Sequence, residues 1–223
     1  KNEFKLSANN TFNFHTPDID IKSVNAYWKK SAATNKPVLA ATIKLLYPTD
    51  PKSFAEYLKA SINGSNRTFT LLNTAPSEEM NIEFADFQPD EDDISLSVSV
   101  EPGMPVLGAN QPSKKELTGK SDLQSITVLT INSLEATHDG AEGRIDVITS
   151  QQVASDNLRQ VITITPAVPF DVETYGSGFS IVSSAFDISQ TYQLSIANKL
   201  TGIFGGKMSG KYNAQIAFGE VEP

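Results

Sequence analysis

Apolar and polar residues alternate along much of this chain, and the period is that of β-strands. Ile94-Ser95-Leu96-Ser97-Val98-Ser99-Val100 alternates strictly, so one face is buried and the other solvated. Tyr192-Gln193-Leu194-Ser195-Ile196 does the same. From Ser125 to Glu135, Ile126, Val128 and Leu134 share one parity while Leu129 and Ile131 take the other. That predicts a β-branched strand with a bulge or a change of face. Val161-Ile162-Thr163-Ile164 and Gln215-Ile216-Ala217-Phe218 predict two more strands. Turn chemistry separates these runs, at Asn63-Gly64, Pro102-Gly103, Asp139-Gly140, Gly176-Ser177-Gly178 and Gly205-Gly206. Only two short stretches read as helix. Lys52 to Ala60 follows Asp50-Pro51, a cap and first-turn pair, and sets Phe54 and Leu58 on one side. Ser155 to Val161 offers Ser155 as a cap and Leu158 as an inward residue. Strand and turn at a spacing of about ten residues is the pattern of a β-sandwich.

The pattern occurs twice. Ile43 matches Ile145, Phe69 matches Phe170, Ile82 matches Ile181 and Phe87 matches Phe186. The alternating runs at Ile94 and Tyr192 match as well, as do Leu107-Gly108 and Phe204-Gly205. The separation is about 100 residues and shortens gradually, as expected if the first copy has longer loops. The expected architecture is all-β: two tandem Ig-like β-sandwich modules, each with one short helix after an early strand. Residues 1–18 form an extended lead-in in which Phe4, Leu6, Phe12 and Phe14 can lie on or pair with a sheet. The first module covers 19–112, a polar linker 113–122 and the second module 123–223. Gly219 to Pro223 reads as a cut inside a linker. The start at Lys1, without Met or signal peptide, reads as a mature or trimmed product or a fragment.

Composition narrows the chemistry. The chain has 223 residues, with 18 Lys and Arg against 26 Asp and Glu and a net charge of −8. An acidic protein lacks the basic clusters that bind nucleic acid or anionic membranes. There is no Cys, which excludes disulfides, thiolate metal sites and thiol nucleophiles. The two His, His15 and His138, stand in unrelated contexts, and His138 in Ala136-Thr137-His138-Asp139-Gly140 reads as a solvated turn residue. Gly176-Ser177-Gly178 lacks the strand–Ser–helix context of a nucleophile elbow and reads as a loop between strands. Asp90-Glu91-Asp92-Asp93 raises a calcium hypothesis, but without a gap-and-glycine spacing it reads as a solvated hairpin tip. The sole Trp, Trp28, beside Tyr27, reads as core or edge packing in preference to a sugar platform. Asn63-Gly64-Ser65 and Asn66-Arg67-Thr68 are sequons whose turn composition explains them equally well. No catalytic, cofactor-binding or metal-binding residue is assigned.

The second half resembles a known family. The residues that carry the resemblance begin with Ile145-Asp146-Val147-Ile148, the short helix after it and Ile162-Thr163-Ile164-Thr165-Pro166. They continue with Pro169-Phe170-Asp171-Val172-Glu173, the stretch from Phe186 to Ile196, and Ala217 to Pro223. Together these are similar to the N-terminal Ig-like, macroglobulin-like region of bacterial alpha-2-macroglobulins. The match runs from Ile126 to Pro223, and the first half joins it only through the internal repeat. Ile188-Ser189 stands where the family pattern has Pro-Gly. The resemblance implies a non-catalytic N-terminal structural or interaction segment of a protease-trapping protein. That protein would sit in the bacterial cell envelope, in the periplasm or at the surface, with a lipid anchor upstream. Its implied partners are the rest of the parent chain and the proteases it traps. The family's thioester needs a Cys, so no functional residue carries over to this chain. The alternative from a different class is an Ig-like surface adhesin or carbohydrate-binding pair.

Overall fold

A computed structural model of the chain describes residues 18–32, 34–87, 92–108, 111–156 and 158–219. The aromatic lead-in with Phe4, Leu6, Phe12 and Phe14 lies outside the described residues.

The first half forms β1 (Ile21–Lys30), β2 (Pro37–Thr49), α1 (Pro51–Tyr57), β3 (Leu58–Ile62), β4 (Ser65–Asn66), β5 (Thr70–Leu71), β6 (Ser77–Phe84), β7 (Ile94–Val100) and β8 (Leu117–Leu123). One sheet has the order β1-β2-β6-β5 and the other β4-β3-β7-β8, with antiparallel pairing throughout. Between them lies a core that includes Trp28, Ile43, Phe54, Ile82 and Leu96. The second half forms β9 (Ile131–His138), β10 (Gly143–Thr149), α2 (Leu158–Val161), β11 (Ile162–Thr165), β12 (Asp171–Tyr175), β13 (Gly178–Ser183), β14 (Thr191–Ile196) and β15 (Tyr212–Ala217). Its sheets run β12-β13-β10-β9 and β11-β14-β15 around a second core, with Ile145, Phe179, Ile181, Leu194 and Ile196 fully buried. The protein is all-β, of sandwich character.

The order of elements recurs. β2, the helix, β3, β5, β6, β7 and β8 correspond to β10, the helix, β11, β12, β13, β14 and β15, with the same neighbours in each sheet. The ladders refine the matching of single residues. Ile145 pairs with Ile181, whereas Ile43 pairs with Met80 and Ile82 pairs with Ala41. The matches Ile43–Ile145 and Ile82–Ile181 therefore differ by one pleat. A two-residue slip preserves which face is buried, so hydrophobic pattern alone does not detect it.

Three expectations are corrected. The polar linker over 113–122 instead contains most of β8, which pairs in register with β7 from Ile94–Leu123 to Val100–Leu117. Its inward positions are Leu117, Gly119, Ser121 and Leu123, and the two small ones hide the alternation. They are small because β1 crosses there. A Cβ on Gly119 would sit 2.4 Å from Val24 Cγ2, and Ser121 Oγ accepts the Ala26 N–H at 2.9 Å. The strand expected from Ser125 begins only at Ile131. Before it the chain turns, with Val128 N donating to Ser125 O at 2.9 Å. The first helix ends at Tyr57, and Leu58 is already strand. Phe54 and Leu58 are both buried, one from the helix and one from β3.

Local chemistry explains the turns. Asp50 caps α1 by accepting Ser53 N–H at 2.9 Å. Asn63 (φ 49°) and Gly64 (φ 79°) form the two-residue β3–β4 turn, the left-handed pair that such a hairpin favours. Tyr175 pairs with Gly178, so Gly176-Ser177 is the tip of the β12–β13 hairpin and not an elbow.

Hydrogen bonds from neighbouring residues hold three cap and turn carboxyls below the ordinary carboxylate range, and one from Lys115 does the same for Asp20. The donors are Ser53 N–H for Asp50, the Glu142 and Ala141 N–H groups for Asp139, and the Ser189 hydroxyl and N–H for Asp187. The unfolded chain binds protons at these groups at higher pH than the folded one. Their contribution is therefore present above the ordinary range and lost as pH falls through the folded values. Thermal midpoints should be flat from neutrality to about pH 5 and fall below about pH 4. A midpoint that rose on acidification would contradict these assignments.

Candidate functional site

The residues singled out in the sequence do not converge. His138 closes β9 and is half-buried, not solvated. Its Nδ1 accepts Gly140 N–H at 2.9 Å, so Nε2 carries the proton and donates to Phe186 O at 3.0 Å. The ring meets Phe218 edge-on at 5.6 Å. This histidine ties the β9–β10 hairpin to the loop after β13. His15 lies outside the described residues, as do Asp90 and Glu91. Asp93 accepts Ser125 N–H at 2.9 Å through Oδ1. Among the described residues no group of three or more His, Asp or Glu is placed to hold a metal. The Asn63 amide is engaged at both ends, accepting Ser95 N–H at 2.8 Å and donating to Asp93 O at 3.5 Å.

Trp28 has 0% of its surface exposed and stacks on Phe87 at 6.2 Å. It is core, and its backbone has a second task. Trp28 N donates to Ser150 O at 2.8 Å, and Gln152 N donates to Trp28 O at 2.7 Å. These bonds make a parallel bridge between β1 and the segment that follows β10. The edge strand β1 of the first half is thus bonded through its backbone to the segment that continues β10 in the second half.

Gln151 locks this junction and is fully buried. Its Nε2 donates to Ile126 O and Val128 O, both at 3.0 Å. Those two acceptors fix which end of the amide is nitrogen. Oε1 has no conventional donor. It lies 1.9 Å from where a Cβ on Gly202 would be, which puts the glycine Cα–H in range of a weak Cα–H···O contact. Gly206 packs equally close to Nε2. Glycines at 202 and 206 are therefore required by close approach. Between them Phe204 packs against the first core, while Ile203 N donates to Gln152 O at 2.9 Å. The sequence held no cue to any of this beyond the glycines themselves.

Where the two sheets meet, their outer faces enclose a polar cleft of ≈ 540 Å³. From the first half come Asn25, Tyr27, Lys44, Glu79 and Asn81; from the second come Glu135, Arg144, Asp146, Tyr175 and Ser180. Strand alternation accounts for the set, since Val24, Ala26 and Trp28 face inward while Asn25 and Tyr27 face the cleft. Most charges are paired. Lys44 meets Glu79 at 3.1 Å, and Arg144 meets Glu173 at 2.9 Å and Asp146 at 3.6 Å. Asn132 Nδ2 donates to Asn25 Oδ1 at 3.1 Å across the crease. Burial raises the hydroxyl pKa of Tyr27, and burial reinforced by the Asp146 charge raises that of Tyr175, so both stay protonated at neutral pH. The arrangement can donate and accept many neutral hydrogen bonds. On its second-half wall Ser180 Oγ donates to Asp146 Oδ1 and accepts from Arg144 Nη1.

Compared with models of known families and with curated proteins, the chain matches none.

Proposed function

We propose that the chain is a non-catalytic structural and interaction segment of a bacterial alpha-2-macroglobulin-like protease inhibitor. In this reading its two halves are tandem Ig-like modules at the cell envelope, and its partner is the rest of a parent chain. The observation that carries the proposal is the backbone bridge at Trp28. A spacer that must transmit a cleavage-driven rearrangement needs modules that move together, and main-chain bonds reinforced by a buried amide supply that coupling. The family resemblance of the second half adds its direction.

The test uses the full gene product. It is incubated with a panel of endoproteases and followed by native electrophoresis. Limited cleavage should produce a faster-migrating form that retains the protease, still active on small substrates and shielded from large ones. Cleavage without a mobility change or retention would overturn the proposal. Cell fractionation provides the second arm, with the protein expected in the envelope fraction.

A further inference from the structure

We propose that the crease between the two sandwiches binds a short neutral oligosaccharide. This goes beyond the reading above and stands separately from it, since neither requires the other. The cleft volume falls in the range of small-ligand sites, and junctions between domains are where such sites concentrate.

The chemistry of the walls selects the ligand. Sugar hydroxyls donate and accept at once, so they are matched by intermixed amides, carboxylates and hydroxyls. Asn25, Asn81, Glu79, Glu135 and Tyr175 supply that mixture from β1, β6, β9 and β12. The cationic groups are satisfied within the protein, Lys44 by Glu79 and Arg144 by Glu173 and Asp146. No lone cation therefore calls for an anionic ligand. Tyr175 is half-buried at the base of the Gly176-Ser177 turn and offers an aromatic ring, the apolar element that a pyranose face requires. Tyr27 is 6% exposed and lies against Gly176, with its hydroxyl 3.6 Å from where a Cβ would stand. It braces the turn that carries Tyr175.

The purified chain is applied to a glycan array, then titrated calorimetrically with maltotetraose, cellotetraose and tetra-N-acetylchitotetraose. At least one neutral oligosaccharide should bind. Tyr175→Ala should weaken it by about tenfold or more, with Tyr175→Phe keeping most of the affinity through the ring. Glu135→Gln should weaken it less, and Lys59→Ala, outside the cleft, should leave it unchanged. Circular dichroism confirms that each variant is folded. Absence of binding on the array and in all three titrations would overturn the proposal. So would binding of charged glycans only, or binding that Tyr175→Ala and Glu135→Gln both leave intact.

Discussion

Replacing Leu194 by Asp should unfold the second sandwich, while Ser195→Ala should leave it folded. The two residues are neighbours on β14 and differ only in the face they occupy. Leu194 has 0% of its surface exposed and lies in the ladder between Ile164 of β11 and Ala214 of β15. Losing its side chain costs about 2–5 kcal/mol through transfer and cavity terms. A carboxylate in its place adds an unpaired charge in a dry core, for a total of about 5 kcal/mol or more. That is comparable with the whole stability of a small domain, about 5–15 kcal/mol. Ser195 is half-buried on the other face, with its hydroxyl donating to Asn213 Oδ1 at 2.6 Å. Removing that bond should cost about 1 kcal/mol. Urea titration followed by near-ultraviolet circular dichroism measures both. Equal losses would show that the face assignment of β14 is wrong.

Trp28→Ala should lower stability by about 3–5 kcal/mol and also change the shape of the transition. In the native chain, β1 packs Trp28 into the first core and bonds its backbone to Ser150 and Gln152. Phe204 reaches back from the second half onto the same core. These contacts couple the two halves, so the native protein should melt in one cooperative step. The alanine variant opens a cavity beside Phe87 and weakens β1 at the point where it meets Ser150. The first sandwich should then melt at lower temperature than the second, giving two resolved calorimetric transitions. A loss below about 1 kcal/mol with a single transition would refute this account of the junction.

Much of the fold was legible from period alone. The runs at Ile94–Val100 and Tyr192–Ile196 became β7 and β14 with the expected faces buried. Both short helices were found, the first from the Asp50-Pro51 start signal and the second only over Leu158–Val161 in place of the expected start at Ser155. The strand β8 was missed because its inward residues Gly119 and Ser121 are chosen for contact with β1, not for apolarity. Trp28 was read as packing, and the structure places it in the core. The cleft was not legible at all. Its walls come from strands as distant as β2 and β13, and the polar faces that form it look in sequence like ordinary solvated faces.

Alternation and turn chemistry, acting through neighbours along the chain, were enough to establish an all-β protein whose order of elements recurs. What only the tertiary structure decided is how the halves join. The bridge at Trp28, the buried amide of Gln151 and the two glycines pressed against it depend on groups brought together from distant segments. Such contacts leave no period behind them, because each rests on one close approach and not on a repeated face.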